Sequence, residues 1–313
     1  MLPEGIYFHD AQTMPEIADA SVTLVVTSPP YNVNKEYETE ATDDSWTQMM
    51  RNVLAECNRV LIDGGRICIN VAAIGRHPYK PLYYYIIQMA FELGWTMRGT
   101  ILWLKGGTGP KSSWGSFGLA TDPILRDSHE FILVFQKGGF KIPKGESGIS
   151  PEEFMEFTRA EWKFTPENTD VNHPAPFPDE LPRRCILLYS NEGDIVLDPF
   201  GGSGTTFKVA LLLKRKAVMY EKYKKYASVI EQRLQSPLRI QSEAWERYKM
   251  IKELYPDLYS KSKRELLKIA KDRFGQELNE MTCRIDLIHY IADESEKKKQ
   301  SSLKDFFWHP KSQ

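Results

Sequence analysis

Residues 27–32 read Thr-Ser-Pro-Pro-Tyr-Asn and follow the β-rich run Val-Thr-Leu-Val-Val-Thr at 22–27. The two prolines stiffen the turn, and Pro30 holds Pro29 extended. A hydroxyl at Ser28 and main-chain carbonyls fixed on such a turn can accept hydrogen bonds from an amino group in set geometry, while Tyr31 can stack on a flat ring. A Pro-Pro turn with a packed tyrosine is the plainer alternative. Residues 198–206 read Asp-Pro-Phe-Gly-Gly-Ser-Gly-Thr-Thr, between an apolar run and a helical pattern. Here Gly201, Gly202 and Gly204 allow a sharp turn and close approach of backbone to a ligand. The helix start at Thr205 and Thr206 offers free N–H groups and a positive dipole end to a carboxylate. No Lys-Ser/Thr follows the glycines, so this is a nucleotide-cofactor loop without the signature of a phosphate loop. Glu221 closes the next apolar run, 23 residues after Asp198, where an acid can accept from both hydroxyls of a ribose. A glycine-rich turn of any α/β protein is the alternative, disfavoured by the full string together with the strand-end acid.

The elements that must position these residues follow from periodicity. Strands are expected at 22–27, 66–71, 96–104, 130–136, 195–197 and 217–220, and helices at 44–61, 83–93, 181–189 and 205–214. The Asp63-Gly64-Gly65 run reads as a turn closing the first helix. Residues 105–118 are rich in Gly and Ser, and residues 137–172 read as irregular and polar with one short helix at 151–157. Strands alternating with helices imply a doubly wound, mostly parallel α/β sheet. From residue 243 the pattern is helical and charged, so a boundary is placed near Ser236-Pro237.

The 313 residues suit one large α/β domain with roughly 50 to 80 residues to spare. No run of about 18 apolar residues exists and the first 25 residues carry no signal-peptide pattern, which points to a cytoplasmic protein with no membrane partner. Cys57, Cys68, Cys185 and Cys283 lack metal-ligand spacing and read as thiols in a reducing compartment. His77, His129 and His173 are isolated, so no metal is expected. The net charge of -1 hides an asymmetry: residues 1–235 carry 25 basic and 29 acidic side chains, residues 236–313 carry 16 and 13. Any contact with phosphates in the first part must come from local patches.

Together the two motifs resemble those of the amino-methyltransferases of DNA, the N4-cytosine and N6-adenine family. The resemblance runs over about residues 5–235: the segment around Asp10, Gly-Gly-Arg-Ile-Cys-Ile-Asn at 64–70, Trp-Leu-Lys at 103–105, His-Glu-Phe-Ile-Leu-Val-Phe-Gln-Lys-Gly at 129–138, and the long block from His173 through Thr206 stand in family order. The catalytic motif precedes the cofactor motif, which in that family marks the permuted beta class and argues against its RNA- and protein-modifying relatives. The resemblance implies a Rossmann-like methyltransferase sheet. It implies S-adenosylmethionine held by Asp10, Phe177, Asp198, Phe200, Gly201, Gly202, Gly204, Thr205, Thr206 and Glu221, and a catalytic set of Ser28, Pro29, Pro30 and Tyr31. It also implies double-stranded DNA as substrate, a flipped target base, and hydrogen bonds from the amino group to the Ser28 side chain and the Pro29 carbonyl. Serine at position 28 favours cytosine N4, with adenine N6 as the alternative. Carbon-5 chemistry would need a cysteine after a proline, and none occurs. A non-catalytic DNA-binding protein on this fold is opposed by the intact motif residues. Residues 137–172 occupy the usual target-recognition position and are short for it, so the 105–118 loop is expected to share that task.

Residues 237–296 read as a helical accessory region, in which 262–293 faintly resembles the helix-extended-helix DNA-binding modules; a helical hairpin packed on the catalytic domain is the favoured alternative. Residues 297–313 read as a flexible tail, with the charged, flexible run 294–300 leading into it. Within it Gln300, Leu303, Phe306 and Phe307 have the spacing of the clamp-binding peptide of archaeal and eukaryotic replication proteins. That resemblance implies a sliding clamp as partner and a source that uses such clamps. A C-terminal aromatic anchor is the alternative.

Overall fold

The computed structural model describes residues 2–31, 43–74, 78–105, 115–125, 127–166, 177–278 and 283–307, with backbone alone at Asp43 and at 301–307. The chain opens with β1 (Ile6–Tyr7), β2 (Val22–Thr27), α1 (Asp43–Val60), β3 (Leu61–Val71) and α2 (Leu82–Glu92). It continues with β4 (Thr96–Leu104), β5 (His129–Gln136), α3 (Pro151–Phe157), β6 (Glu161–Lys163) and α4 (Glu180–Tyr189). Then come β7 (Ile195–Asp198), α5 (Thr205–Leu212), β8 (Lys216–Tyr220) and α6 (Ala227–Gln235). The helices α7 (Glu243–Leu254), α8 (Lys263–Phe274) and α9 (Arg284–Phe307) follow.

The strands form one eight-stranded sheet in the order β1-β8-β7-β2-β3-β5-β4-β6. Among the described strands only β5 runs against its neighbours, β3 and β4. Alternation within the strands sends side chains to two cores. Val22 and Val25 of β2, with Ile67, Ile69 and Val71 of β3, pack under α1 and α2. On the other face Leu24, Val26 and Cys68 meet α4, α5 and α6. Helices on both faces of a mostly parallel sheet make the doubly wound architecture expected from the sequence.

Three local expectations are corrected. Asp63-Gly64-Gly65 does not close α1, which already ends at Val60, but lies inside β3. There β2 advances two residues while β3 advances five, between the pairs Val22↔Leu61 and Leu24↔Arg66. Gly64 has φ +79°, and a Cβ on it would lie 2.3 Å from the Lys141 carbonyl oxygen, so the pair serves a bulge pressed against the segment after β5. The polar stretch 137–172 holds a strand besides the short helix expected at 151–157, where α3 stands: Glu161–Lys163 pairs in parallel with β4. The charged run at 294–300 is helical, as part of α9, with Glu294–Lys297 and Glu296–Lys299 pairs one turn apart.

The chain divides into two compact units. The first holds residues Met1–Ile149 and Phe157–Gln241, the second Ser150–Glu156 and Ser242–Gln313. In the first, the Asp-Glu-Leu-Pro-Arg-Arg block is a buried ionic knot. Lys208 of α5 donates to Asp179 at 2.6 Å, and Glu180 pairs with Arg183 and Arg184. The same acids accept from the backbone N–H groups of Arg239 and Gln241, which stitches the segment after α6 into this unit. The second unit has its own core, built from Ile251, Leu258, Leu266, Ala270, Leu287, Ile288 and Ile291. Its α8 starts with a Ser262/Glu265 capping box and ends at Gly275 in the left-handed region. From α3, Glu152 accepts from Tyr259 Oη at 2.5 Å and sits 3.1 Å from His289 Nε2.

Candidate active site

Strand direction gathers the chemistry. The parallel strands β2, β3, β4, β7 and β8 end at one edge of the sheet, and antiparallel β5 begins there. That edge therefore carries Ser28, Asn70, Lys105, Asp198 and Glu221 at strand ends and Glu130 at a strand start. Ligands of open α/β sheets bind at this edge.

The glycine loop between β7 and α5 is anchored from both sides. Gly201 N–H donates to the Tyr220 carbonyl at 2.8 Å, and Gly202 N–H to Glu221 Oε2 at 3.0 Å. A Cβ on Gly201 would lie 2.2 Å from the Met219 methyl, so the loop lies flush on β8 and presents backbone to the cleft. Glu221 Oε1 accepts from Tyr223 N–H at 2.8 Å. Burial raises the Glu221 carboxyl above its usual range against these bonds. Asp198 is 1% exposed; its Oδ1 accepts from Thr27 Oγ1 at 2.6 Å and Phe200 N–H at 3.1 Å. Burial nonetheless pushes its pKa up to about 6. Asp10, after β1, accepts from the main chain and side chain of Gln12 and pairs with Lys222 at 3.2 Å. Burial pushes its pKa up, but these partners outweigh it and hold Asp10 below its usual value.

The proline turn caps β2. Pro29 is buried, and the Pro30 carbonyl accepts from Trp46 Nε1 at 2.7 Å, which ties the turn to α1. Tyr31 packs its ring against the α1–α2 core and sends its hydroxyl to the sheet edge. There Tyr31 Oη lies 3.3 Å from Ser28 Oγ and 3.4 Å from both Glu130 Oε2 and Asn70 Nδ2. Asn70 Nδ2 donates to Glu130 Oε2 at 2.6 Å, and Lys105 pairs with Glu130 Oε1. Burial, then the Glu130 charge, raise the Tyr31 pKa well above normal, so the hydroxyl keeps its proton. Asn70, Lys105 and Glu130 are site residues that the sequence reading did not single out. The available signal was a polar residue at the end of each of three apolar runs, all inside blocks already noted.

Both groups of residues line one cleft of about 540 Å³ in the first unit. Ser28, Pro29, Pro30 and Tyr31 line it together with Asp10, Phe177, Phe200, Gly201, Gly202, Thr205 and Glu221. The remaining expected residues stand behind the wall: Asp198 and Thr206 are buried, with Thr206 Oγ1 donating to the Val26 carbonyl, and Gly204 turns the loop into α5 with φ +83°. His129 packs edge-on against Phe131, whereas His77, His173 and Asn32 lie outside the described residues. Gln300 is exposed on α9, and Leu303, Phe306 and Phe307 follow in the same helix, their side chains outside the description.

Residues 22–232 match a family model described as DNA methylase. Over 276 residues the chain is 33% identical to the Type II methyltransferase M.MjaI of Methanocaldococcus jannaschii, covering 73% of this chain and 90% of that protein. A DNA modification methylase of Thermus thermophilus, solved in complex with S-adenosyl-L-methionine, superposes with a TM-score of 0.60 at 30% identity, over 73% of this chain and 92% of that one. The cytosine-N4-specific PvuII DNA methyltransferase shares the fold, with a TM-score of 0.59 at 20% identity over 78% of this chain and 90% of that one.

Proposed function

This chain belongs to the DNA methylase family and is an S-adenosylmethionine-dependent DNA methyltransferase specific for cytosine N4 or adenine N6, and from that premise we propose that it methylates N4 of a cytosine flipped out of duplex DNA. The observation that carries the reading is the single cleft lined by both the proline turn and the glycine loop. The donor set suits the cofactor. Carboxylates at Asp10 and Glu221 and the buried Asp198 behind them favour a ligand with hydroxyls and positive charge, and would repel a phosphate. Phe177 and Phe200 offer apolar faces to a flat ring. Glu221, held by two backbone N–H groups, keeps lone pairs free for a ribose diol.

When bound, S-adenosylmethionine supplies an electrophilic methyl group on a sulfonium. The chain's own task is the amine. Its lone pair is delocalised into the ring, so Ser28 Oγ and the Pro29 carbonyl accept the two amino hydrogens and favour a pyramidal nitrogen with an available pair. Tyr31 holds the base, and fixed positioning supplies much of the rate. A target hidden in the duplex must be extruded to reach Ser28. Serine at position 28 favours cytosine over adenine. The order of the motifs, Ser28 to Tyr31 before Asp198 to Thr206, supports the permuted beta class. Residues 137–172 and 105–118 are the proposed readers of the DNA sequence, and residues 300–307 a proposed clamp-binding peptide, on the spacing of Gln300, Leu303, Phe306 and Phe307. One assay tests the reading: incubation with methyl-labelled cofactor and mixed-sequence DNA, RNA or protein, then nucleoside analysis. Label in N4-methylcytosine is the expected result; label in N6-methyladenine assigns the other base, and label in RNA or protein alone overturns the DNA reading.

A further inference from the structure

The hydroxyls of Ser28 and Tyr31 and the carboxylate of Glu130 stand in a row, and their chemistry fixes which way each hydrogen bond runs. A carboxylate has no proton to give. Asn70 Nδ2 and Lys105 Nζ both donate to it, and Tyr31 Oη, 3.4 Å away, meets the same oxygen as Asn70. Tyr31 has a single hydroxyl proton, retained by burial. With that proton donated to Glu130, Tyr31 can meet Ser28 Oγ only as an acceptor, so Ser28 donates across the 3.3 Å contact. The Asn70 amide and the Ala72 backbone N–H face the tyrosine oxygen as donors, so its proton has two acceptors to choose between, Glu130 and Ser28 Oγ, and the charged carboxylate is the stronger.

We propose that Glu130, oriented by Asn70 and Lys105, is a positioning residue that sets the polarity of the Ser28–Tyr31 hydroxyl pair so that Ser28 keeps its lone pairs for the amino group of the target base. It acts through Tyr31 and does not touch the base. Reversed polarity would aim the Tyr31 proton at Ser28 Oγ, take up one of its two lone pairs and free the Ser28 proton to point into the cleft against the amine. Glu130 is 8% exposed and Asn70 2% exposed, so the acid and the amide that orients it are shielded from bulk water, where hydrogen-bond orientations would average. The inference rests on the proposed acceptor role of Ser28.

The test is a mutant cycle on the full chain, with turnover measured on duplex DNA and cofactor affinity measured separately. Glu130→Gln presents an amide that can donate to Tyr31 and permit the reversed order; kcat is expected to fall about tenfold or more with cofactor affinity and DNA KM unchanged. In a Tyr31→Phe background the Glu130 substitution should cause no further loss, because the hydroxyl through which it acts is gone. Undiminished kcat in Glu130→Gln, or an equal loss with and without the tyrosine hydroxyl, overturns the proposal. Should Glu130→Gln fail to fold with Lys105 deprived of its counter-charge, the Glu130→Gln/Lys105→Gln pair, which removes both charges, is read in its place against the same outcomes. Ser28→Ala separates the levels. Full turnover in that variant refutes the acceptor role itself, whereas its inactivity with no Glu130–Tyr31 coupling refutes only the polarity device.

Discussion

Asp198 carries a charge where the fold disfavours one, and Asp198→Asn makes that cost measurable. The carboxyl is buried behind the glycine loop, with a pKa raised from an ordinary 3.8 to about 6. The unfolded chain therefore releases this proton near 3.8 and the folded chain near 6. Between those values the folded state binds more protons, so the associated stability is full below 3.8, is lost as pH rises through 6, and stays lost above. The gap between 3.8 and about 6, at 1.36 kcal/mol per pH unit, corresponds to about 3 kcal/mol. Asparagine suits the site because the bonds from Thr27 and Phe200 are made to one oxygen, Oδ1, which an amide carbonyl can replace. In cofactor-free protein, urea unfolding of wild type and Asp198→Asn from pH 4 to pH 7 gives a difference curve in which the titrating groups that do not feel the Asp198 charge cancel. The variant should gain about 2 to 3 kcal/mol on wild type across that range, roughly 1 M in midpoint for an m near 3 kcal/mol/M. A flat difference curve would mean that Asp198 ionises as it does in water, and the burial argument would fail.

Glu221→Ala should weaken cofactor binding about tenfold to hundredfold, as expected for bonds worth roughly 1 to 3 kcal/mol in total; an unchanged affinity in calorimetry would remove Glu221 from the cofactor site. Lys208→Met leaves Asp179 as an uncompensated buried charge and should cost about 3 to 5 kcal/mol, with much of the loss recovered by adding Asp179→Asn; thermal unfolding with an unmoved midpoint would show that the knot contributes nothing. Alanine at both Phe306 and Phe307 should abolish binding to a replication clamp while activity on short oligonucleotides persists. Loss of basal activity or of folding in that variant would instead mark the aromatics as a structural anchor.

The two motif loops were legible because prolines and glycines constrain the backbone locally, whatever the rest of the chain does. The partners of Tyr31 were not. Asn70, Lys105 and Glu130 each flank an apolar run as one polar residue, and period-two alternation does not say which end of a strand faces a ligand. Glu130 opens its strand, so it reaches the reactive edge only because β5 runs antiparallel. Strand β6, three residues long, falls below any periodic signal. The glycines at 64 and 65 read as a stop because a bulge and a turn use the same residue types. The charged run at 294–300 looked like linker by composition, yet its acids and lysines recur at one-turn spacing and suit a solvated helix.

The hydrogen bond from Thr27 to Asp198 joins residues 171 positions apart, on the neighbouring strands β2 and β7. On a ribosome adding about 5 to 20 residues per second, β2 waits roughly 10 to 30 s with one side unpaired before its partner is made. It is six residues long, fully buried in the finished protein and without a charge, Pro or Gly to guard it. Synthesis rate and chaperone supply should therefore decide the yield of this protein more than its final stability does, and slow translation of the first 190 residues should favour aggregates over folded enzyme.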